Sequence, residues 1–247
     1  MLKSLAKNIL RRLHCYEKAS SFWIWLRPKL DLPVRALSGR DQRTIREHFA
    51  AADPKKLHIG CGPHDLAGWL NADLYPRGNQ IRLDATRRFP LESNSIDFVY
   101  TEHMIEHIPW TAAMQMLKEA CRVLKPGGVV RVATPNMEFL TSLLKEPLSE
   151  SAQAYLKHNR QICTPWAPDE AGIFMFNHFM RAWGHQFIFD LATLRRTLEM
   201  AGFTGVVERP LNESPSPELR GLAAVDRMPA GFLALETIVM EGTKPTA

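Results

Sequence analysis

The chain has 247 residues, 45% of them hydrophobic and 23% charged, with a formal net charge of +5; this ordinary globular composition argues against a disordered chain. No apolar run reaches the ~18–20 residues that span a bilayer, and no apolar core with a small-residue cleavage site marks the N-terminus. Cys15, Cys61, Cys121 and Cys163 lie far apart with no Cys-x-x-Cys pair, which argues against a disulfide framework and a cysteine-rich zinc site and leads us to expect a reduced, cytoplasmic setting.

Residues 1–50 read as a basic helical arm, with eleven Lys and Arg against four Asp and Glu, while the remainder holds 20 against 22. Leu2, Leu5, Ile9, Leu10, Leu13 and Tyr16 recur at helical spacing among Lys3, Lys7, Arg11 and Arg12, so Met1–Tyr16 is expected to be an amphipathic helix. The cluster Phe22-Trp23-Ile24-Trp25-Leu26 follows, and aromatics beside basic residues are the composition of interfacial segments. Two destinations stay open for residues 1–30: peripheral contact with the inner face of a membrane, or packing across the main domain. A charge run is most often a solvated helix face, and no nucleic-acid partner is expected.

Residues 51–247 read as one domain in which strands alternate with helices. Short buried strands are expected at Lys56–Ile59, Trp69–Leu74, Gln80–Leu83, Ser95–Tyr100 and Val129–Ala133. A helix over Thr111–Leu124 closes at Lys125-Pro126-Gly127-Gly128, where Pro cannot continue it and Gly makes the turn. From about 136 to 187 the alternation is interrupted, and Trp166, Phe174, Phe176, Phe179 and Trp183 make this a packed insertion. A helix at Leu191–Ala201 and strands at Gly205–Glu208 and Leu233–Met240 complete a doubly wound, seven-strand, mostly parallel sheet. No internal repeat is present, and oligomeric state is not legible.

Open parallel sheets bind ligands at the carboxyl ends of their strands. Here the first strand ends in Gly60-Cys61-Gly62, where glycine permits close backbone approach, and the next two end in Asp73 and Asp84, suited to ribose hydroxyls and to an adenine amino group. Glycines that only turn the chain and aspartates that only cap helices are the structural alternative. Over residues 55–240 the chain resembles class I S-adenosylmethionine-dependent methyltransferases, particularly a small bacterial type. The resemblance rests on Gly60-Cys61-Gly62, Gly68-Trp69-Leu70-Asn71-Ala72-Asp73, Ile81-Arg82-Leu83-Asp84, Phe89-Pro90-Leu91, Ser95-Ile96-Asp97-Phe98-Val99-Tyr100, Glu106-His107 and Arg122-Val123-Leu124-Lys125-Pro126-Gly127-Gly128. It implies a Rossmann-like methyltransferase fold, S-adenosyl-L-methionine as cofactor, and a cofactor-binding set of Gly60, Cys61, Gly62, Asp73, Leu74, Asp84, Ala85, Glu102 and His103. Within that set the glycines line the methionine part, Asp73 holds the ribose, Asp84 and Ala85 meet the adenine, and Glu102 and His103 lie at the tip of the fourth strand. Two positions depart from the broader family: His58 stands where an acid is usual, and His64 where a third glycine often occurs.

Other chemistries are weaker. A dinucleotide site places its acid about 20 residues after the glycine fingerprint, farther than Asp73 lies from Gly60. His103-Met104-Ile105-Glu106-His107 matches the His-x-x-Glu-His pattern of inverted zinc proteases, yet Pro109 cuts the helix short and no third ligand is marked, so no metal is expected. Methyl transfer needs positioning more than acid–base help; His178 and His185 are the candidate catalytic residues, each with a structural hydrogen-bonding role as the alternative. Arg220 and Arg227 are candidate anion contacts, with surface solvation the commoner role. By association with similar proteins, the expected reaction is O-methylation of a saccharide or other hydroxylated small molecule, so the expected partner is a small-molecule or glycan acceptor. The alternative is a non-catalytic S-adenosylmethionine-binding module acting as a partner or regulator.

Overall fold

A computed structural model describes Arg35 and residues 37–246; the amphipathic helix and aromatic cluster expected before Arg35 lie outside the described residues. Seven strands form one sheet: β1 (Lys56–Ile59), β2 (Leu70–Asp73), β3 (Ile81–Arg82), β4 (Ile96–Glu102), β5 (Leu124–Pro135), β6 (Thr204–Glu208) and β7 (Thr237–Thr243). Their spatial order is β3-β2-β1-β4-β5-β7-β6. β3 to β5 run parallel, and β7 is antiparallel to both β5 and β6. The order reverses beside β1, which opens a crevice at the carboxyl ends of β1 and β4, where open α/β sheets take ligands.

The register explains how the two faces divide. Leu57 pairs with Leu70 and Val99, and Val99 with Val130, so one face carries an apolar row. Against it pack α1 (Arg40–Ala51), α2 (Trp110–Val123) and, after the insertion, a helix over Leu191–Met200, through Ile45, Met116, Leu117, Leu194 and Leu198. Each such fully buried side chain contributes about 1.5–3 kcal/mol. One residue along, the opposite face carries Asn71, His58, Tyr100, Arg131 and Glu241 in register. Its apolar cluster draws on a 3-10 turn, Pro217–Leu219, and on no α-helix among the described residues: Trp69 and Tyr100 pack with Leu219 and Leu222, and Arg131 donates to the carbonyls of Glu213 (2.8 Å) and Pro210 (3.3 Å). The β1–β2 and β2–β3 connections contain no helix, so the returning chain after β6 closes this side.

The expected insertion holds three helices: α3 (Met137–Ser142), α4 (Glu150–Ile162) and α5 (Gly172–Arg181). Asn136 and Ser149 cap the first two by accepting from Phe139 N and Ala152 N, which satisfies amides that would otherwise lack partners. Leu140, Tyr155, Leu156, Met175 and Phe179 make a separate core. Then comes α6 (Leu191–Met200), capped by Asp190.

Two expected boundaries are corrected. The fifth strand begins at Leu124 rather than Val129, because the Lys-Pro-Gly-Gly segment is absorbed as an irregularity: Ile96 faces Leu124, and Phe98 faces Val129. The last strand begins at Thr237 rather than Leu233, since Phe232–Glu236 forms a short helix, α7, entered through Gly231 at φ +87°. That turn aims Glu236 inward, where it accepts the Tyr155 hydroxyl at 2.5 Å.

Candidate functional site

At the end of β1 the chain passes through Gly60 (φ +67°) and Gly62 (φ +54°), a left-handed conformation that side chains disfavour. Gly60 N and Cys61 N both donate to Ala72 O, at 2.8 and 3.1 Å, which stitches the turn to β2. A Cβ on Gly60 would lie 2.2 Å from Met104 Cγ, whereas one on Gly62 would meet no heavy atom within 4 Å. The outer side of the loop is therefore an open cradle. Asp73 holds it: Oδ2 accepts from Gly62 N at 2.9 Å, and Oδ1 from Tyr75 N at 2.8 Å. Each carboxylate oxygen keeps a further lone pair.

Sequence reasoning missed Gln80. This buried residue donates through Nε2 to Gly62 O (2.8 Å) and Asp65 Oδ1 (2.7 Å), and accepts from Arg77 N at 2.7 Å. A polar residue just ahead of a short apolar strand was the only available signal.

The other expected cofactor residues flank the loop. Leu74 is 38% exposed beside Asp73. Asp84 accepts from Thr86 N and Oγ1 (3.0 and 2.7 Å) and pairs with Arg87 at 3.2 Å, so it caps its own turn; Ala85 is half-buried beside it. Cys61 is buried, and desolvation pushes its thiol up to about 12, which makes it a packing residue rather than a nucleophile. Of the two departures, His64 is exposed. His58 turns to the opposite face, where Nδ1 donates to Asn71 Oδ1 at 3.2 Å and the ring lies 5.2 Å from Tyr100. Burial lowers its pKa to about 4, so the ring is neutral near pH 7.

β4 ends at Glu102, and His103 reverses the chain at φ +46°, its amide donating to Ala133 O at 2.9 Å. A single 3-10 turn, Ile105–His107, follows and Pro109 ends it. Glu106 is fully buried there, accepting from Thr134 Oγ1 at 3.0 Å and lying 3.4 Å from His103 Nδ1. Burial raises its carboxyl pKa, but His103 outweighs that and holds it below the usual range. The turn is tied to the segment after α5: Gln186 N donates to Glu106 O (2.7 Å), and Gln186 Nε2 to His107 O (2.8 Å).

Above these residues lies a cavity of about 490 Å³. The β4 tip supplies His103, Glu106 and His107; the insertion supplies His158, Met175, Phe179 and Trp183; His185, Arg227 and Glu236 complete the wall. Of the two catalytic candidates, His185 lines this cavity. His178 faces a different cavity with Trp166 and Phe174, its ring 4.5 Å from Trp183. Arg227 lines the central cavity and pairs with Glu102 at 3.3 Å. Arg220 instead donates to the carbonyls of Ser214 and Pro215, bracing the long loop. His158 and Glu236 went unmarked in the sequence, because neither sits in a recognisable motif and tertiary packing alone brings them here.

Residues 69–132, from the approach to β2 into β5, match a family described as Methyltransferase domain. A probable S-adenosylmethionine-dependent methyltransferase of Mycolicibacterium smegmatis is 45% identical over 62 residues, 25% of this chain and 23% of that protein. An uncharacterized protein from a Streptomyces fradiae transposon is 30% identical over 126 residues, 41% of this chain and 35% of the relative. The chain thus spans well under half the length of either. A solved S-adenosylmethionine-dependent methyltransferase from Archaeoglobus fulgidus is 16% identical, with a TM-score of 0.49 over 85% of this chain and 94% of its own. No helix among the described residues is long and apolar enough to cross a membrane.

Proposed function

We propose that this chain is an S-adenosylmethionine-dependent methyltransferase acting on a hydroxylated small molecule, with saccharides as the leading class. One observation carries the reading: the glycine loop held by Asp73 packs through Gly60 against Met104, whose chain neighbour His103 lines the 490 Å³ cavity together with Glu106. The match of residues 69–132 to a methyltransferase domain supports it.

The donor set fits the cofactor. Gly62 leaves an open cradle, Asp73 keeps lone pairs for ribose hydroxyls, and Asp84 Oδ2, engaged among the described residues by Arg87, keeps one for an adenine amino group. When bound, the cofactor supplies a methyl group already activated on a sulfonium. The chain's own task is then to hold a nucleophile in line and exclude water. Met175, Phe179 and Trp183 give the cavity apolar walls, while His103, His158, Arg227 and Glu236 offer hydrogen-bonding groups to a polyhydroxylated acceptor. Burial pushes the Glu236 carboxyl pKa up, favouring its protonated, hydrogen-bond-donating form more than that of an exposed glutamate.

Calorimetry with S-adenosylmethionine, S-adenosylhomocysteine and NAD tests the reading. The first two are expected to bind, and Asp73→Ala to weaken them by about 1–3 kcal/mol through lost hydrogen bonds. Failure of both to bind the wild-type chain refutes it. Binding without methyl transfer to any acceptor in a labelled cell extract would make the chain a cofactor-binding partner or regulator instead.

A further inference from the structure

Of the His-x-x-Glu-His motif, Glu106 and His107 gain a third potential ligand from the fold, while His103 stands outside the set. His185, brought back by the end of the insertion, stands with its ring centroid 4.9 Å from that of His107. Glu106, His107 and His185 each present one ligand atom, and these atoms all lie within 4.8 Å of one another. Three atoms bound about 2.1 Å from one tetrahedral ion stand about 3.4 Å apart, a tightening that side-chain rotation can provide.

Two further observations point to a cation. Glu106 is fully buried, and its Oε1 has no hydrogen-bond partner among the described residues; His103 approaches it only to 3.4 Å, while the other nitrogen of that ring engages Thr237 Oγ1 at 3.1 Å. A bare carboxylate oxygen in such a place is an electrostatic debt that a metal ion discharges. His185 Nδ1 lies 2.6 Å from Phe179 O; a carbonyl can only accept, so Nδ1 carries the proton and Nε2 keeps its lone pair. Metal-bound imidazoles are typically held by this bond from the far nitrogen to a carbonyl. The bonds from Gln186 to Glu106 O and His107 O lock the two segments together, so the backbones that carry the ligands are placed in advance and only side chains need turn.

We propose that Glu106, His107 and His185 bind a divalent first-row transition metal ion on the cavity wall. Two imidazoles and one carboxylate suit zinc with an open fourth position. All three residues line the cavity, so an ion held by them would stand on the acceptor's side, where it would supply a Lewis acid that lowers the pKa of a substrate hydroxyl. The metal site stands on its own geometry; this use of it rests on the methyltransferase reading.

The test uses the full chain, stripped with a chelator and titrated with Zn²⁺ by calorimetry, then with Co²⁺ by visible absorption. One ion per chain is expected, with a Co²⁺ spectrum of four- or five-coordinate character. His185→Ala and Glu106→Gln should each weaken Zn²⁺ binding at least tenfold, while His158→Ala, elsewhere in the cavity, leaves it unchanged. Absence of stoichiometric Zn²⁺ or Co²⁺ binding by the wild-type chain overturns the proposal, whether or not a variant folds, as does equal affinity in folded His185→Ala and Glu106→Gln. S-adenosylmethionine binding measured on the same samples separates the two readings: cofactor binding without metal sinks the metal site alone, and metal binding without cofactor sinks the methyltransferase reading alone.

Discussion

Gly60 and Gly62 are both left-handed, yet the structure gives them different duties, and alanine at each should separate the two. An L-residue in this conformation costs about 1–2 kcal/mol, so that term is common to both. At Gly62 nothing else is added, because the new Cβ meets open space. At Gly60 the Cβ would overlap Met104 Cγ at 2.2 Å and Met104 Cβ at 2.8 Å. Rotating the flexible methionine relieves the first contact, but the second requires the turn after β4 to shift, an overpacking cost of about 1–3 kcal/mol. Gly60→Ala should therefore destabilise by about 2–5 kcal/mol, and Gly62→Ala by about 1–2 kcal/mol. In urea unfolding, the double variant Gly60→Ala/Met104→Gly, which removes both contacts, should be more stable than additivity predicts, by about 1–2 kcal/mol, within the range for contacting residues. Gly62→Ala should instead show its larger effect on S-adenosylmethionine affinity, since its methyl enters the cradle. Equal destabilisation by the two alanines, or additivity at Gly60 and Met104 within about 0.5 kcal/mol, would refute the contact.

Two further outcomes follow from the face opposite the helices. His58, 4% exposed, has its pKa depressed to about 4 from 6.5 mainly by burial, with Asn71, Asp65 and Asp73 opposing and His64 assisting; a ring kept neutral in the folded chain leaves stability whole above pH 6.5 and removes it as pH falls toward 4, by about 3 kcal/mol in total. His58→Gln should flatten that window in urea titrations across pH, and an unchanged slope would dismiss His58 as its source. Arg131, whose side chain is 3% exposed, pairs with Glu241 at 2.6 Å. Arg131→Met leaves Glu241, among the described residues, with the partly exposed Arg209 at 3.1 Å as its remaining cation, and should cost about 3–5 kcal/mol, much of it regained in Arg131→Met/Glu241→Leu; a double variant no better than the single would show that the charge pair is not the cause.

The parallel strands were legible because buried parallel strands are short apolar runs that end in glycine or aspartate at the ligand edge, as Lys56–Ile59 and Leu70–Asp73 do. Phe232–Glu236 was not, because Phe-Leu-Ala-Leu is an apolar run that suits either helix or strand, and the choice falls to Glu236 meeting Tyr155 across the insertion. The loop was legible from its glycines, but Gln80, which fastens it, was not, since nothing local distinguishes a polar residue that bonds a distant carbonyl from one in solvent. His185 was named as a base candidate, yet its neighbours Glu106 and His107 come from the other side of the insertion. Sequence gives the ligand types, and only packing gives their distances.

The short connection between β1 and β2 links several of these features. In a dinucleotide-type crossover the helix after the glycine loop both fixes the loop and points its positive end at the ligand. Here no helix follows Gly62, so both duties must be met by other means. Fixing is done by side chains: Asp73 takes the amide of Gly62 and Gln80 takes its carbonyl. Asp73 thus shapes the loop, beside the ribose contact proposed for it. Asp73→Asn disturbs the first of these directly. It keeps an amide oxygen for one backbone N–H but offers NH₂ in place of the second acceptor, so Gly62 and Tyr75 cannot both remain satisfied by the new side chain. The absence of the helix also bares the opposite face, which explains why the chain after β6 runs back over Trp69 and Tyr100 and buries Arg131 against Glu241. One shortened crossover thus accounts for the loop's dependence on Asp73 and Gln80 and for the polar row sealed beneath residues 209–223.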